Sequence, residues 1–170
     1  VLGKCQCGIR QTDLMSTYPE TIITEALFAH LKAMPGIPTY PSGYLLSGYP
    51  AVDWEDGAAF EAPKDSNGAP LPYLRVRDMG LPPEQIDVSG DYIRRSGVLQ
   101  ISVFWALGAG NVPIKELGGR IAERFKLNTR IERDVYSIRI SRPPSTPGPM
   151  VDPYMPLLHL PIAIQYDVLP

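Results

Sequence analysis

Proline restricts this chain more than any other residue: 19 of its 170 residues are proline, about 11% against a usual share near 5%. Each proline fixes φ and withdraws a backbone donor. Helix is therefore confined to stretches between prolines, and much of the remainder is extended or looped. Only two stretches carry a helical apolar period. Thr17-Tyr18-Pro19-Glu20 reads as a capping box with proline in the first turn. Ile23, Ala26, Leu27, His30, Leu31 and Met34 follow at helical spacing until Pro35-Gly36 stops them, which predicts a helix over 18–34. Ile114, Leu117, Ile121, Ala122 and Phe125 predict a second over 112–126. The Gly118-Gly119 pair inside it costs about 1 kcal/mol per glycine relative to alanine, a cost that close packing of the helix on a sheet would explain.

Strand signals fill the rest. Ala51–Trp54 predicts a short strand and Tyr73–Arg77 an alternating one. In Tyr92–Leu107, Leu99, Ile101, Val103 and Trp105 fall on one face. Thr129–Glu132, then Val135–Ile140 with Tyr136, Ile138 and Ile140 inward, continue the set. Leu157–Val168 closes it, with Leu158, Leu160, Ile162, Ile164 and Tyr166 on one face and Pro161 on the other. A proline there predicts an edge strand or a bulge. Asp65-Ser66-Asn67-Gly68 is a turn signal, and residues 35–72, 79–91 and 143–153 read as long proline-rich loops. The expected fold class is α+β, a mostly antiparallel sheet with two amphipathic helices packed on one face. The expected organisation is a flexible arm over 1–16 and a single domain over 17–170.

The charge balance argues against a nucleic-acid grip. Sixteen Lys and Arg face 18 Asp and Glu, a formal net of −2, whereas tight binding of that kind rests on neutralising phosphates. Cys5 and Cys7 stand too close for an ordinary disulfide and have no ligand partners at zinc spacing; free thiols in a reducing compartment are expected. No signal-peptide h-region and no membrane-length apolar run occur, so synthesis in a cytosol, with the initiator Met removed ahead of Val1, is expected.

Chemistry-bearing residues are few. His30 sits on the apolar stripe of the first helix, and His159 lies on a strand opposite the apolar row; neither has a metal-spaced neighbour. Gly108-Ala109-Gly110 follows a strand and opens a helix, as a dinucleotide loop does, but Pro113 stands where the third glycine belongs. Asp53, Glu55 and Asp56 cluster around Trp54 and are the one carboxylate group suited to acid–base work or a cation. Arg75, Arg77, Arg94 and Arg95 form a basic strip along strand positions.

The run Ser96-Gly97-Val98-Leu99-Gln100-Ile101-Ser102-Val103-Phe104-Trp105 leads to a glycine turn and then Ile121-Ala122-Glu123-Arg124-Phe125. With Arg75–Gly80, the N-terminal helix and the late strands, it resembles the tail terminator proteins of long-tailed bacteriophages, the lambda-like kind, over about 18–168. The loop at 39–72 is longer than that pattern requires. The resemblance implies a structural virion protein of the tail and neck, assembled in the host cytoplasm. It implies a homohexameric ring on the finished tail tube that stops tube growth and offers a surface to the head connector. Genome DNA would pass through its lumen without specific binding. The partners implied are further copies of itself, the tube protein and the neck proteins, with no membrane, no cofactor and no catalysis. Interface or lumen candidates are Arg75, Arg77, Arg94, Arg95, Tyr44 and Trp54. The arm at 1–16 and the loops at 39–72, 79–95 and 143–156 are expected to carry most contacts. A different neck adaptor, a monomeric binding module, or a small enzyme built on Asp53, Glu55 and Asp56 are the alternative readings.

Overall fold

The computed structural model describes residues 18–34, 51–55, 59–88 and 92–169. Helix α1 spans Pro19–Lys32 and α2 spans Val112–Arg124. The strands are β1 (Ala51–Trp54), β2 (Tyr73–Gly80), β3 (Glu84–Gln85), β4 (Ile93–Ala106), β5 (Arg130–Arg133), β6 (Tyr136–Ile140), β7 (Met150–Val151) and β8 (Leu157–Leu169). They build one sheet in the order β1-β2-β4-β8-β6-β5, with β3 attached to β4 and β7 to β8. Every pairing is antiparallel except that of β1 with β2. The α+β class and its largely antiparallel sheet match the expectation. The arm at 1–16, with Cys5 and Cys7, lies outside the described residues.

Period-2 alternation divides the sheet into two faces. On one, Leu74, Val76, Leu99, Ile101, Val103, Trp105, Ile138, Ile140, Leu158, Leu160, Ile162, Ile164, Tyr166 and Val168 are buried. Both helices close over this row: Ile23, Ala26, Leu27 and Leu31 from α1 and Ile114, Leu117 and Ile121 from α2 join the same core. Fully burying one such side chain contributes about 1.5–3 kcal/mol, so this face supplies most of the driving force. The helices are also tied end to end. His30 Nε2 donates to the Arg124 carbonyl at 3.1 Å, and Arg124 Nε donates to the His30 carbonyl at 3.1 Å.

Three local expectations need correction. The N-cap of α1 is Tyr18, without a side-chain cap, and Glu20 accepts a hydrogen bond from Arg95; Pro19 at the first position leaves the first turn one unpaired donor fewer. The polar stretch at 79–91 contains a strand, β3, folded back on β4 at Arg94 and Ile93. Pro161 sits in a central strand with no bulge, since β4 and β8 pair without interruption from Arg95↔Val168 to Ala106↔Leu157. The alternation of the ladder explains this. Ala163 exchanges backbone bonds with Ser145, and the Gln165 carbonyl accepts from Ser141, so odd-numbered residues of β8 turn their backbone polar groups away from β4. Opposite Pro161 on that side, the chain between Ser145 and β7 makes no ladder bond to it. The missing N–H falls in a local gap.

The glycine pair of α2 divides by face. A Cβ on Gly118 would collide with Leu160 Cδ2, while one on Gly119 would meet nothing within 4 Å. Close approach explains Gly118 alone. Gly119→Ala should therefore raise stability by about 0.5–1 kcal/mol. Gly118→Ala should lower it by about 1 kcal/mol, because overpacking a buried leucine costs more than the gained propensity. Urea unfolding of the two variants checks both signs; equal shifts would refute the close packing of α2 on β8.

Candidate interaction surface

The face of the sheet turned away from the helices is polar and organised around two buried carboxylates. The parallel register sets Asp53 beside Arg75. Asp53 is 8% exposed, and its Oδ2 takes Arg75 Nε at 2.7 Å and Arg77 Nη2 at 3.3 Å. Asp167, 7% exposed, holds Arg94 Nη2 at 3.0 Å and stands 3.7 Å from Arg139 Nη2. Burying a carboxylate is costly unless it is paired, so each aspartate fixes its arginines as much as they fix it.

The strip anticipated from the sequence thus divides. Arg75 and Arg77 come together on Asp53; Arg94 goes to Asp167. Arg95 points to the helix side, where its Nε lies 3.3 Å from Glu20 Oε1. Each of these four arginines has a carboxylate partner. The carboxylate group also disperses: Asp53 is an ion-pair hub, Glu55 accepts the Asp78 backbone N–H at 2.6 Å, and Asp56 lies outside the described residues. Among the described residues no group of three His, Cys, Asp or Glu is placed to hold a metal ion. Gly108 and Gly110 take φ of 94° and 79°, the left-handed backbone of a tight turn.

Aromatic residues line one end of the open face. Phe60, Tyr73, Phe104 and His159 stack in series, with centroids 5.2, 4.6 and 4.7 Å apart. Arg75 lies over the Phe104 ring at 5.4 Å. His159 Nε2 is buried without a hydrogen-bond partner among the described residues, and burial lowers the pKa of this imidazole. Trp54 serves the other side. It packs on Phe28 of α1 at 4.7 Å and lies under Lys32 Nζ at 4.7 Å, binding β1 to the helix. Tyr44 lies outside the described residues.

A further polar site was not anticipated. Asp78 faces the helix side of β2, where Thr24 Oγ1 donates to it at 2.6 Å and the Tyr166 hydroxyl at 2.8 Å. Burial raises the Asp78 pKa despite these donors, and burial with Asp78 beside it raises that of Tyr166. Gly97 is part of this arrangement, because a Cβ there would strike the Tyr166 ring and come within 2.9 Å of the Met79 carbonyl. The residues lie on α1, β2 and β8, far apart in sequence, so only the tertiary register brings them together. Asp167 and Arg139 were missed for the same reason.

Large apolar side chains stand in solvent in groups at two loops, besides single exposed residues elsewhere such as Val112 and Val135. Leu81, Ile86, Val88 and Tyr92 are exposed on and around the hairpin that joins β3 to β4, and Met150, Val151 and Tyr154 on and after β7. Both fall in loops expected to make contacts.

The family model described as "Phage tail terminator protein" matches residues 22–166. A solved structure whose name states no function superposes with a TM-score of 0.63 at 23% identity, covering 91% of this chain and 96% of that one, which shows a shared fold. No curated protein matches the chain.

Two outcomes follow from the buried polar groups. Asp167→Asn should destabilise by about 1–2 kcal/mol, a buried ion-pair loss discounted for the partial exposure of its arginines; unchanged urea unfolding would remove its role as a hub. Burial also lowers the pKa of His30. Since both histidines are depressed when folded, the unfolded chain takes up their protons first. Their stabilising contribution is full above the ordinary histidine pKa, near 6.5, and is lost as pH falls below it. Unfolding free energy should decline from pH 7 to 5.5, and the slope should flatten in the double variant His30→Gln with His159→Phe.

Proposed function

The chain belongs to the phage tail terminator family, and from that premise we propose that it caps the end of the tail tube as a homohexameric ring. It is a structural component of a phage tail, and a non-enzymatic role fits that family. In the proposed mechanism one ring face matches the tube, the other does not reproduce it, and tube growth stops. The second face then receives the head connector, and DNA passes through the lumen. Assembly takes place in the host cytoplasm.

The observation that carries this reading is the apolar hairpin around β3. A closed ring needs two different surfaces per subunit, each complementary to the other. Contiguous apolar groups left in water mark such contacts, and Ile86, Val88 and Tyr92 stand on a hairpin that extends β4 beyond its pairing with β8. The proline-flanked loops support it too, since prolines reduce the entropy lost when a loop orders on a partner. Arg75, Arg77 and Arg94, each partly neutralised by a buried aspartate, suit a wall that DNA slides past without being held.

Particles assembled without this protein should carry tails of excess or irregular length and lack heads, as seen by electron microscopy. Tails of normal length without heads would point instead to a neck adaptor. The double substitution Ile86→Asp, Val88→Asp should change folding stability by less than about 0.5 kcal/mol yet abolish length control. Retained length control would refute the hairpin's role.

A further inference from the structure

We propose that the open sheet face carries a pocket for a phosphate-type oxyanion, built by Arg94, Arg139 and Arg142 around the buried carboxylate of Asp167. The inference stands apart from ring formation. The hollow measures about 400 Å³, and its lining includes these four residues with Ser141 and Gln165. Three guanidiniums against one carboxylate leave an excess of two positive charges.

The arginines are held differently. Asp167 is buried and anchors Arg94 at 3.0 Å, with Arg139 at 3.7 Å. Arg142 is exposed and has no carboxylate within salt-bridge distance among the described residues. Arg139 Nε is shut off from water and has no acceptor among the described residues. A buried donor without a partner is costly, on the order of 1–3 kcal/mol, so Asp167 does not satisfy Arg139 in full; the side chain as a whole is 41% exposed and open to an anion in the hollow. Three guanidiniums carry about fifteen N–H donors, of which Asp167 engages one at hydrogen-bond distance. That surplus suits an oxyanion with three or four acceptor oxygens and two charges. A lone carboxylate would be satisfied by a single bidentate arginine. The register makes the site rigid: Arg139 stands opposite Asp167 in the β6–β8 ladder, so the pocket floor is sheet, not loop.

The test is a titration of the full chain at low salt with inorganic phosphate, followed by amide NMR. Saturable shifts are expected at Ser141, Arg142 and Gln165. Arg142→Gln, which breaks no ion pair in the fold, should weaken binding about tenfold. Lys115→Gln, exposed on α2 across the sheet from the pocket, should leave it unchanged. A short oligonucleotide that moves the same amides identifies backbone phosphate as the source. One that leaves them still identifies the free ion, and either result supports the pocket. Absent saturation, equal weakening by both variants, or acetate binding as well as phosphate would overturn it.

Discussion

The pairing of β4 with β8 is the constraint on which the rest depends. Twelve consecutive residue pairs join them, from Arg95↔Val168 to Ala106↔Leu157. Because side chains alternate, that single register decides which residues face the helices and which face outward; a slip of one residue would exchange the two sets. On the inner side it lines up Leu99, Ile101, Val103 and Trp105 with Leu158, Leu160, Ile162 and Ile164. On the outer side it sets Phe104 against His159 at one end and brings Asp167 within reach of Arg94 at the other. The aromatic stack and the arginine pocket are thus two ends of one ladder.

The inner face was legible in the sequence because period is a local property. Leu99 to Trp105, Leu158 to Tyr166 and the stripes of both helices could be read from spacing alone, and all of their apolar positions but Ala122 enter the core, while His30 stands half-buried at its border. Pro161 shows where local reading stops. The residue correctly signalled that no ladder bond forms on its N–H side, but whether a strand with such a gap is central or at an edge depends on partners far away in the chain. The candidate surface was less legible for the same reason. Arg75, Arg77, Arg94 and Arg95 could be named as a strip, yet Arg95 faces the helices and the other three need Asp53 or Asp167. Nothing in the spacing of Gln165-Tyr166-Asp167 announces that this aspartate will meet an arginine 73 positions earlier.

Charge on this molecule is arranged, not abundant. The formal net of −2 conceals an open face where arginines outnumber the carboxylates they surround. Each buried aspartate fixes two guanidiniums that would otherwise be long, mobile side chains, and ordering them in advance lowers the entropy lost on contact with a partner. Composition alone argued against strong attraction of anions; position permits weak, localised attraction at Arg139 and Arg142.

The central place of β8 also has a consequence in time. It is made after the other strands described, yet β4, β6 and β7 all pair with it. Until residues 157–169 are synthesised, β4 has β2 on one side and nothing on the other, and Leu160 is missing from beneath α2. Such long-range closure is slow, because loop entropy is lost before contacts form. While residues 157–169 are still unmade, a nascent chain therefore lacks the middle of its sheet, and the surfaces that depend on that sheet arise together once β8 docks.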